Sequence, residues 1–390
     1  MTRPIRKAEQ EMTNFKDDSS MRGRGFTHDT LAQRVVLGSG QAAQAVADEV
    51  ARLGGGRVMV ITGEAEAELA QRVTAGLQVA LWWGEVRQHV PVELAERARA
   101  AARDAEVDLV VSVGGGSTTG LAKAVALEVD VQIVAVPTTY AGSEATDVWG
   151  MTDDGVKTTG VDSRVLPATV VYDAGLTTSL PVDLTVASGL NGLAHCVDSL
   201  WAPRADPINV VMALEGARAL AEGLPAAVAD AQDLTGREEC LYGAYLSAVA
   251  FASAGSGMHH KICHVLGGAY DLPHAPTHAV VLPYVLAYNA PAVPAQAGRL
   301  ALALGASPRS VEADPARAAV EALEALRRRL DAPRSLADAG LAESDLADAT
   351  LRCLPKIPKS NPVPVTERSL SALLRSAWAG ETPPLTATPV

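Results

Sequence analysis

The chain contains no apolar run approaching the ~20 residues that a membrane-spanning helix requires, and its first residues include no apolar core of a secretory signal. It contains no internal repeat, no low-complexity linker and no CxxC pair among its four cysteines. Cys196, Cys240, Cys263 and Cys353 are scattered, a pattern that suits reduced, packed thiols in a cytosol rather than a disulfide framework. Basic residues are also in deficit: 33 Lys and Arg face 45 Asp and Glu, for a net charge of -12. That balance opposes binding to nucleic acid or to anionic lipid, both of which need a basic face that releases counterions. An anionic ligand must therefore meet a local basic pocket.

What is present is a 390-residue chain, 48% hydrophobic and 20% charged, far from the composition of disordered chains. Because single cores stop growing at roughly 250 to 300 residues, two domains are expected. Residues 1–27 are polar and of mixed charge and read as a flexible extension, with Met12 and Met21 as alternative starts. From about 33 to 180, apolar strand-length runs alternate with helix-length Ala/Leu/Glu/Arg stretches. The strands expected are 34–37, 57–61, 79–82, 109–113, 133–136 and 169–172, with helices at 64–75, 92–105 and 120–127. Such alternation implies parallel βαβ units. After Pro181 only helical spacing recurs, over 184–202, 207–229, 237–254, 258–269, 292–304, 312–331 and 343–353. The fold class expected is thus an α/β nucleotide-binding domain with a Rossmann-like parallel sheet at 28–180, followed by an all-α domain at 181–390.

Two polar turns follow neighbouring strands. Gly114-Gly115-Gly116-Ser117-Thr118-Thr119 leaves a strand and opens a helix, where glycines admit a phosphate and free N–H groups donate to it. It is neither GxGxxG nor a P-loop, and on its own it also reads as an ordinary turn with Ser117 as N-cap. Pro137-Thr138-Thr139-Tyr140-Ala141-Gly142-Ser143-Glu144 follows the next strand, at the carboxyl edge where ligands of open parallel sheets gather. Its hydroxyls suit ribose, phosphate or nicotinamide.

The densest chemistry is His259-His260-Lys261-Ile262-Cys263-His264 with Pro273-His274. Five of the eight histidines lie between 259 and 278, a clustering seldom needed for packing and typical of functional sites. Asn191 and His195 are four apart, as are His260 and His264, so each pair shares one helix face. His195, His260 and His274 are competent metal ligands, yet Asn191 is neutral where a divalent cation favours a carboxylate. Both acid/base and metal roles remain open on spacing alone.

Taken in order, Gly114–Ser117, Pro137–Glu144, Gly189-Leu190-Asn191-Gly192-Leu193-Ala194-His195, His259–His264 and Asp271-Leu272-Pro273-His274 resemble the iron-containing alcohol dehydrogenase superfamily, and within it the maleylacetate reductases. The resemblance runs from about residue 28 to Pro362-Val363-Pro364-Val365-Thr366. It implies a dehydroquinate-synthase-like fold, with NADH or NADPH on the α/β domain and a catalytic pocket in the helical domain. The cofactor residues it implies are Gly114, Gly115, Gly116, Ser117, Thr118, Thr138, Thr139, Tyr140, Ser143 and Lys157, the last equally readable as a surface lysine of a hairpin. The Asp and three histidines that hold iron or zinc in metal-dependent members correspond to Asn191, His195, His260 and His274. His264 corresponds to a histidine beside the nicotinamide. With Asn191 in place of Asp, no metal is expected.

The activity implied is cytoplasmic, metal-independent reduction of the C=C bond of maleylacetate to 3-oxoadipate in aromatic-compound degradation, by a homodimer. A conjugated keto acid passes hydride-derived charge to an enolate, which protonated imidazoles and Lys261 can stabilise without a Lewis acid. A His/Lys cluster also suits two substrate carboxylates. The catalytic residues expected are His260 or His264 as proton donor, with Lys261, His195 and His274 on carboxylate or carbonyl oxygens, and Asn191. Alternatives are a metal-dependent alcohol or polyol dehydrogenase, a related reductase acting on another unsaturated or keto dicarboxylate in a biosynthetic pathway, and a non-catalytic nucleotide sensor. Gly63 in Thr62-Gly63-Glu64 lacks the carboxylate that NAD-specific relatives often place there, leaving the choice of cofactor open, with Glu64 as a substitute.

Overall fold

Val58, Met59, Val60 and Ile61 are all buried although they alternate in direction, Val58 and Val60 joining one apolar cluster and Met59 and Ile61 another. A strand with both faces covered belongs to the interior of a parallel sheet, where helices close each side. The computed structural model, which describes residues 25–153 and 156–385, contains that sheet. Residues 1–24, most of the expected N-terminal extension, lie outside the described residues. The strands are β1 (Arg34–Leu37), β2 (Val58–Thr62), β3 (Val79–Trp83), β4 (Leu109–Gly114), β5 (Gln132–Pro137), β6 (Val148–Asp153), β7 (Val156–Val161) and β8 (Thr169–Tyr172). Six of them form one parallel sheet in the order β1-β8-β5-β4-β2-β3, while β6 and β7 form a separate antiparallel hairpin. The six sheet strands lie within a residue of those expected, and the hairpin is additional.

Helices α1 (Ala42–Leu53), α2 (Ala67–Val73), α3 (Val92–Asp104) and α4 (Gly116–Ala126) connect and cover the strands. The first of these was not expected. Its own N-cap, Gln41, makes no side-chain bond, and Asp173 at the end of β8 accepts the N–H groups of Gly40, Gln41 and Ala42 instead. A remote carboxylate thus satisfies the orphan donors that a local cap usually takes.

Every regular element after Val182 is a helix: α5 (Val182–Ser199), α6 (Pro207–Ala229), α7 (Leu234–Ala254), α8 (Met258–Tyr270), α9 (His274–Asn289), α10 (Pro294–Ala303), α11 (Pro308–Ala313), α12 (Pro315–Arg329), α13 (Leu346–Cys353) and α14 (Glu367–Ala379), with short 3-10 turns between them. The single helix expected at 312–331 is α12 preceded by α11. Ser307-Pro308 and Asp314-Pro315 each supply an N-cap and a proline at the first helical position, so the chain starts a helix twice. Helix α9 was not expected either. All its residues from Thr277 to Asn289 are buried, so no amphipathic stripe marks it, and Pro283 lies inside it. Among the described residues no helix is long and apolar enough to cross a membrane.

Helices α6 and α7 cross at close range because glycines face each other. A Cβ on Gly223 would lie 2.6 Å from the Gly236 carbonyl oxygen and 2.9 Å from the Cys240 nitrogen, both backbone atoms that cannot rotate away. Gly223→Ala therefore forces the helices apart. Overpacking of about 1–3 kcal/mol outweighs the roughly 1 kcal/mol that alanine gains in helix propensity. Urea unfolding should show a lower midpoint for the variant, and an unchanged or higher midpoint would mean that the close approach is not required.

Candidate active site

Both polar turns lie at the carboxyl edge of the sheet, on adjacent strands β4 and β5, where Gly114 pairs with Pro137. Gly114 has a φ of 152°, and a Cβ there would meet Thr118 Oγ1 at 2.4 Å, so only glycine fits. Helix α4 begins at Gly116 with Gly115 as an N-cap that offers no side chain, leaving its first N–H groups to a ligand. Ser117 lies inside the helix and is not its cap. Thr138 is buried and its Oγ1 has no partner. An uncapped helix start, a glycine cradle and an orphaned hydroxyl fit the diphosphate of a dinucleotide. Thr139 packs its methyl group over Gly115, and Ser143 is half-buried at the end of the same turn.

Tyr140 departs from expectation. Its hydroxyl donates to Thr177 Oγ1 at 3.2 Å and accepts from Arg237 Nη1 at 2.9 Å, in a fully buried position. The side chain anchors the turn to the helical core, and its phenol is not available to a cofactor. Lys157 lies on β7 opposite Thr152, and its side chain is outside the described residues. Near the end of β2, a Cβ on Gly63 would lie 2.8 Å from Glu66 Oε2. The Glu66 carboxylate therefore lies beside Gly63, a second acidic group near the end of β2 in addition to the expected Glu64.

The second turn touches the histidines directly. Gly142, at φ 77°, fits against Ala248 and His195, with a Cβ there 2.7 Å from Ala248 Cβ and 3.6 Å from His195 Nδ1. Asn191 Nδ2 donates to the Ala141 carbonyl at 3.4 Å, while its Oδ1 is buried without a partner. His195 lies against His260 with ring centres 4.7 Å apart and planes 18° apart. His264 approaches His260 at 6.0 Å between ring centres, and His274 approaches His278 at 4.3 Å. Five of the expected catalytic residues, His195, His260, His264, His274 and Asn191, thus converge from α5, α8 and α9. Lys261 is half-buried in the first turn of α8, near enough for its charge to favour the Asp198 carboxylate.

Three participants were not expected. His278 is fully buried with neither ring nitrogen partnered, and its ring centre is 4.7 Å from that of His260. Its spacing of four from His274 placed both on one helix face. Phe251 packs at 4.7 Å from His195 and 4.3 Å from His260, with no sequence signal to distinguish it from a core residue. Asp198 is completely buried and hydrogen-bonded to His260 Nδ1 at 2.8 Å. It follows His195 by three residues, one turn along the same face.

The residues that correspond to a metal site do not close on a cation. Among the described residues, the trios of His, Cys, Asp or Glu with ligating atoms within 4.8 Å of one another are His259-Cys263-His278 and Asp198-His259-His260, and neither contains His195 or His274. His259 Nε2 is already bonded to the His278 carbonyl at 3.0 Å, and Asp198 to three backbone N–H groups. Asn191 contributes only a neutral amide.

Burial dominates the electrostatics. It lowers the imidazole of His195 to about 3 and that of His259 to about 4, and with the neighbouring rings it holds His260 and His278 well below their ordinary value. It raises the Asp198 carboxyl to about 7 and that of Glu144 above its usual range. Without ligand these four imidazoles are neutral at pH 7, rather than protonated as the expected enolate chemistry would have them. In the unfolded chain they take up protons near pH 6.5 and in the fold they do not, so acidification below 6.5 favours unfolding by about 1.4 kcal/mol per pH unit for each group. Asp198 and Glu144 act in the opposite sense, since the folded carboxyls take up protons at pH values where the unfolded ones are still ionised. Four groups outweigh two, so urea midpoints should fall between pH 7 and pH 5. A constant or rising midpoint would mean that the imidazoles are not desolvated.

Residues 32–174 match the family model described as iron-containing alcohol dehydrogenase, and residues 185–378 match that of the Fe-containing alcohol dehydrogenase family, C-terminal. The chain is 43% identical over 364 residues to a maleylacetate reductase of Sphingobium indicum, covering 93% of this chain and 99% of that protein. Its fold is similar to that of an iron-containing alcohol dehydrogenase of Corynebacterium glutamicum, with a TM-score of 0.88, 56% identity, and 93% and 99% of the two chains covered. A maleylacetate reductase of a Rhizobium species is similar with a TM-score of 0.84, 42% identity, and 93% and 100% covered.

Proposed function

The chain belongs to the iron-containing alcohol dehydrogenase family, and on that premise we propose that it reduces the C=C bond of maleylacetate to 3-oxoadipate with NADH or NADPH, without a metal, in aromatic-compound degradation. The observation that carries this reading is Asn191 beside an otherwise complete His/Lys set. The pocket keeps hydrogen-bonding groups for oxygen atoms, has a neutral amide at Asn191 where a divalent cation favours a carboxylate, and ties up the Asp198 carboxylate with three backbone N–H groups and His260.

NAD(P)H supplies the hydride when bound. The start of α4 and Thr138 hold its diphosphate, and Glu66 beside Gly63 places a carboxylate where a 2′-phosphate would arrive, which favours NADH. Lys261 and the half-buried His274 bind the substrate carboxylates through charge-assisted bonds. A dianion entering among neutral imidazoles raises their proton affinity, so the substrate itself charges the groups that receive it. His195, which lies against Gly142 of the β5 turn, holds the carbonyl oxygen where enolate charge would develop. His260 or His264 delivers the proton to carbon. The same reading carries a cytosolic homodimer.

Chelator-treated protein given maleylacetate should consume reduced nicotinamide, seen as loss of its near-ultraviolet absorbance, with a higher kcat/KM for NADH than for NADPH. No consumption would overturn the proposal, and activity that returned only with added zinc or iron would assign the chain to the metal-dependent alcohol dehydrogenases instead. Lys261→Ala removes one charged hydrogen bond, worth about 1.5–3 kcal/mol, so kcat/KM for the dicarboxylate should fall roughly 10- to 100-fold. The KM for reduced nicotinamide should change little. An unaltered dicarboxylate KM would remove Lys261 from the binding site.

A further inference from the structure

We propose that Asp198 is a positioning residue of this reaction: together with His259 it fixes His260 as the tautomer protonated on Nδ1, leaving Nε2 as the atom through which that ring exchanges a proton with substrate. The inference deepens the reductase reading and rests on it for the substrate, but the tautomer follows from hydrogen bonds alone.

The chain of assignments starts at a group with one possible role. The carbonyl of His278 can only accept, so His259 Nε2, 3.0 Å away, carries a hydrogen and donates it. In a neutral imidazole the other nitrogen is then bare, which makes His259 Nδ1 an acceptor. His260 Nδ1 faces that bare nitrogen at 3.3 Å and Asp198 Oδ2 at 2.8 Å. Two acceptors directed at one ring nitrogen require a hydrogen on it. A proton on Asp198 instead would leave the two Nδ1 lone pairs opposed at 3.3 Å. His260 therefore carries its hydrogen on Nδ1, and Nε2, buried and without a partner, is bare.

The ring is also held in place. His195 lies against it at 4.7 Å, Phe251 at 4.3 Å and the edge of His278 at 4.7 Å. Asp198 is itself immobilised by the N–H groups of Gly257 at 3.1 Å, His259 at 3.3 Å and His260 at 3.2 Å. Gly257 has no side chain because a Cβ there would lie 2.5 Å from Asp198 Oδ1.

The consequence concerns the direction of proton flow. A ring bare at Nε2 takes a proton there, becoming an imidazolium whose Nδ1–H remains on the carboxylate. When the substrate enolate carbon is protonated, the Nε2–H bond breaks, the C–H bond forms and the ring returns to its starting tautomer. Solvent resupplies the proton, so neither Nδ1 nor Asp198 changes state over the cycle.

The test is nitrogen NMR of ¹⁵N-histidine-labelled, ligand-free protein, with the His260 signals identified by their loss in His260→Asn. The Nδ1 shift should be that of a protonated nitrogen and the Nε2 shift that of a bare one. The opposite pattern overturns the proposal. Asp198→Asn keeps an oxygen where the Gly257 and His260 N–H groups and Nδ1 converge but removes the charge that stabilises the imidazolium, and should lower kcat for maleylacetate by roughly 100-fold with the KM within about threefold. An unchanged kcat overturns the positioning role. Asp198→Glu retains a carboxylate and should recover part of the rate, and the wild-type spectrum decides the tautomer even if the Asn variant does not fold. A protein with the Nδ1–H tautomer but no maleylacetate turnover would refute the reductase reading while leaving the assignment of His260 intact.

Discussion

A single buried carboxylate joins the two helices that carry the site. Asp198 on α5 accepts the N–H groups of Gly257, His259 and His260 at the start of α8, where the helix dipole favours a negative charge. Burying a carboxylate costs several kcal/mol, which only convergent donors and a nearby positive charge offset. The amides, the His260 imidazole and the charge of Lys261 offset part of it here, and burial still leaves the carboxyl raised to about 7. Because His195 lies one turn before Asp198, the same bond that docks α8 brings His195 and His260 into contact. The convergence of the histidines is thus a result of satisfying one charge.

The sheet meets this assembly through one turn. The β5 loop runs from Pro137, bonded in register beside Gly114, to Gly142, whose lack of a side chain lets it fit against His195 and Ala248. One end of the loop therefore borders the cradle suited to a diphosphate, and the other borders the imidazoles. Tyr140, held by Thr177 and Arg237, anchors the loop between them and gives it a fixed path. The glycine cradle on the sheet and the imidazoles of the helical half are in this way held against each other by about five residues of backbone.

The strands were readable in the sequence because a parallel strand buried on both faces is a short continuous apolar run bounded by turns. Most helices with one wet face were readable for the complementary reason, although α14, which has one, was not expected. Helix α9 was not, since neighbours surround it and its composition shows no stripe, and α1 was not, since its cap comes from Asp173, about 130 residues away in the chain. Among site residues, the His259–His264 cluster and the two polar turns were legible as local patterns. Asp198 and His278 had only helical spacing to mark them, and Phe251 had nothing. Tyr140 was misread for a related reason: its place in a polar turn was visible, but Arg237, which turns its hydroxyl into the core, is 97 residues distant.

By itself the sequence determined the division into a sheet half and a helical half, the residue types that could do the chemistry, and the neutral amide of Asn191 four residues before His195. These depend on composition and short-range spacing, which the chain carries locally. Tertiary structure alone decided the protonation states and the partners. Burial makes the imidazoles neutral, the His278 carbonyl and Asp198 select which nitrogen of His260 holds its hydrogen, and Glu66 is brought beside Gly63. Each depends on desolvation or on a contact between groups that only folding brings within hydrogen-bond range, and neither leaves a periodic trace in the chain.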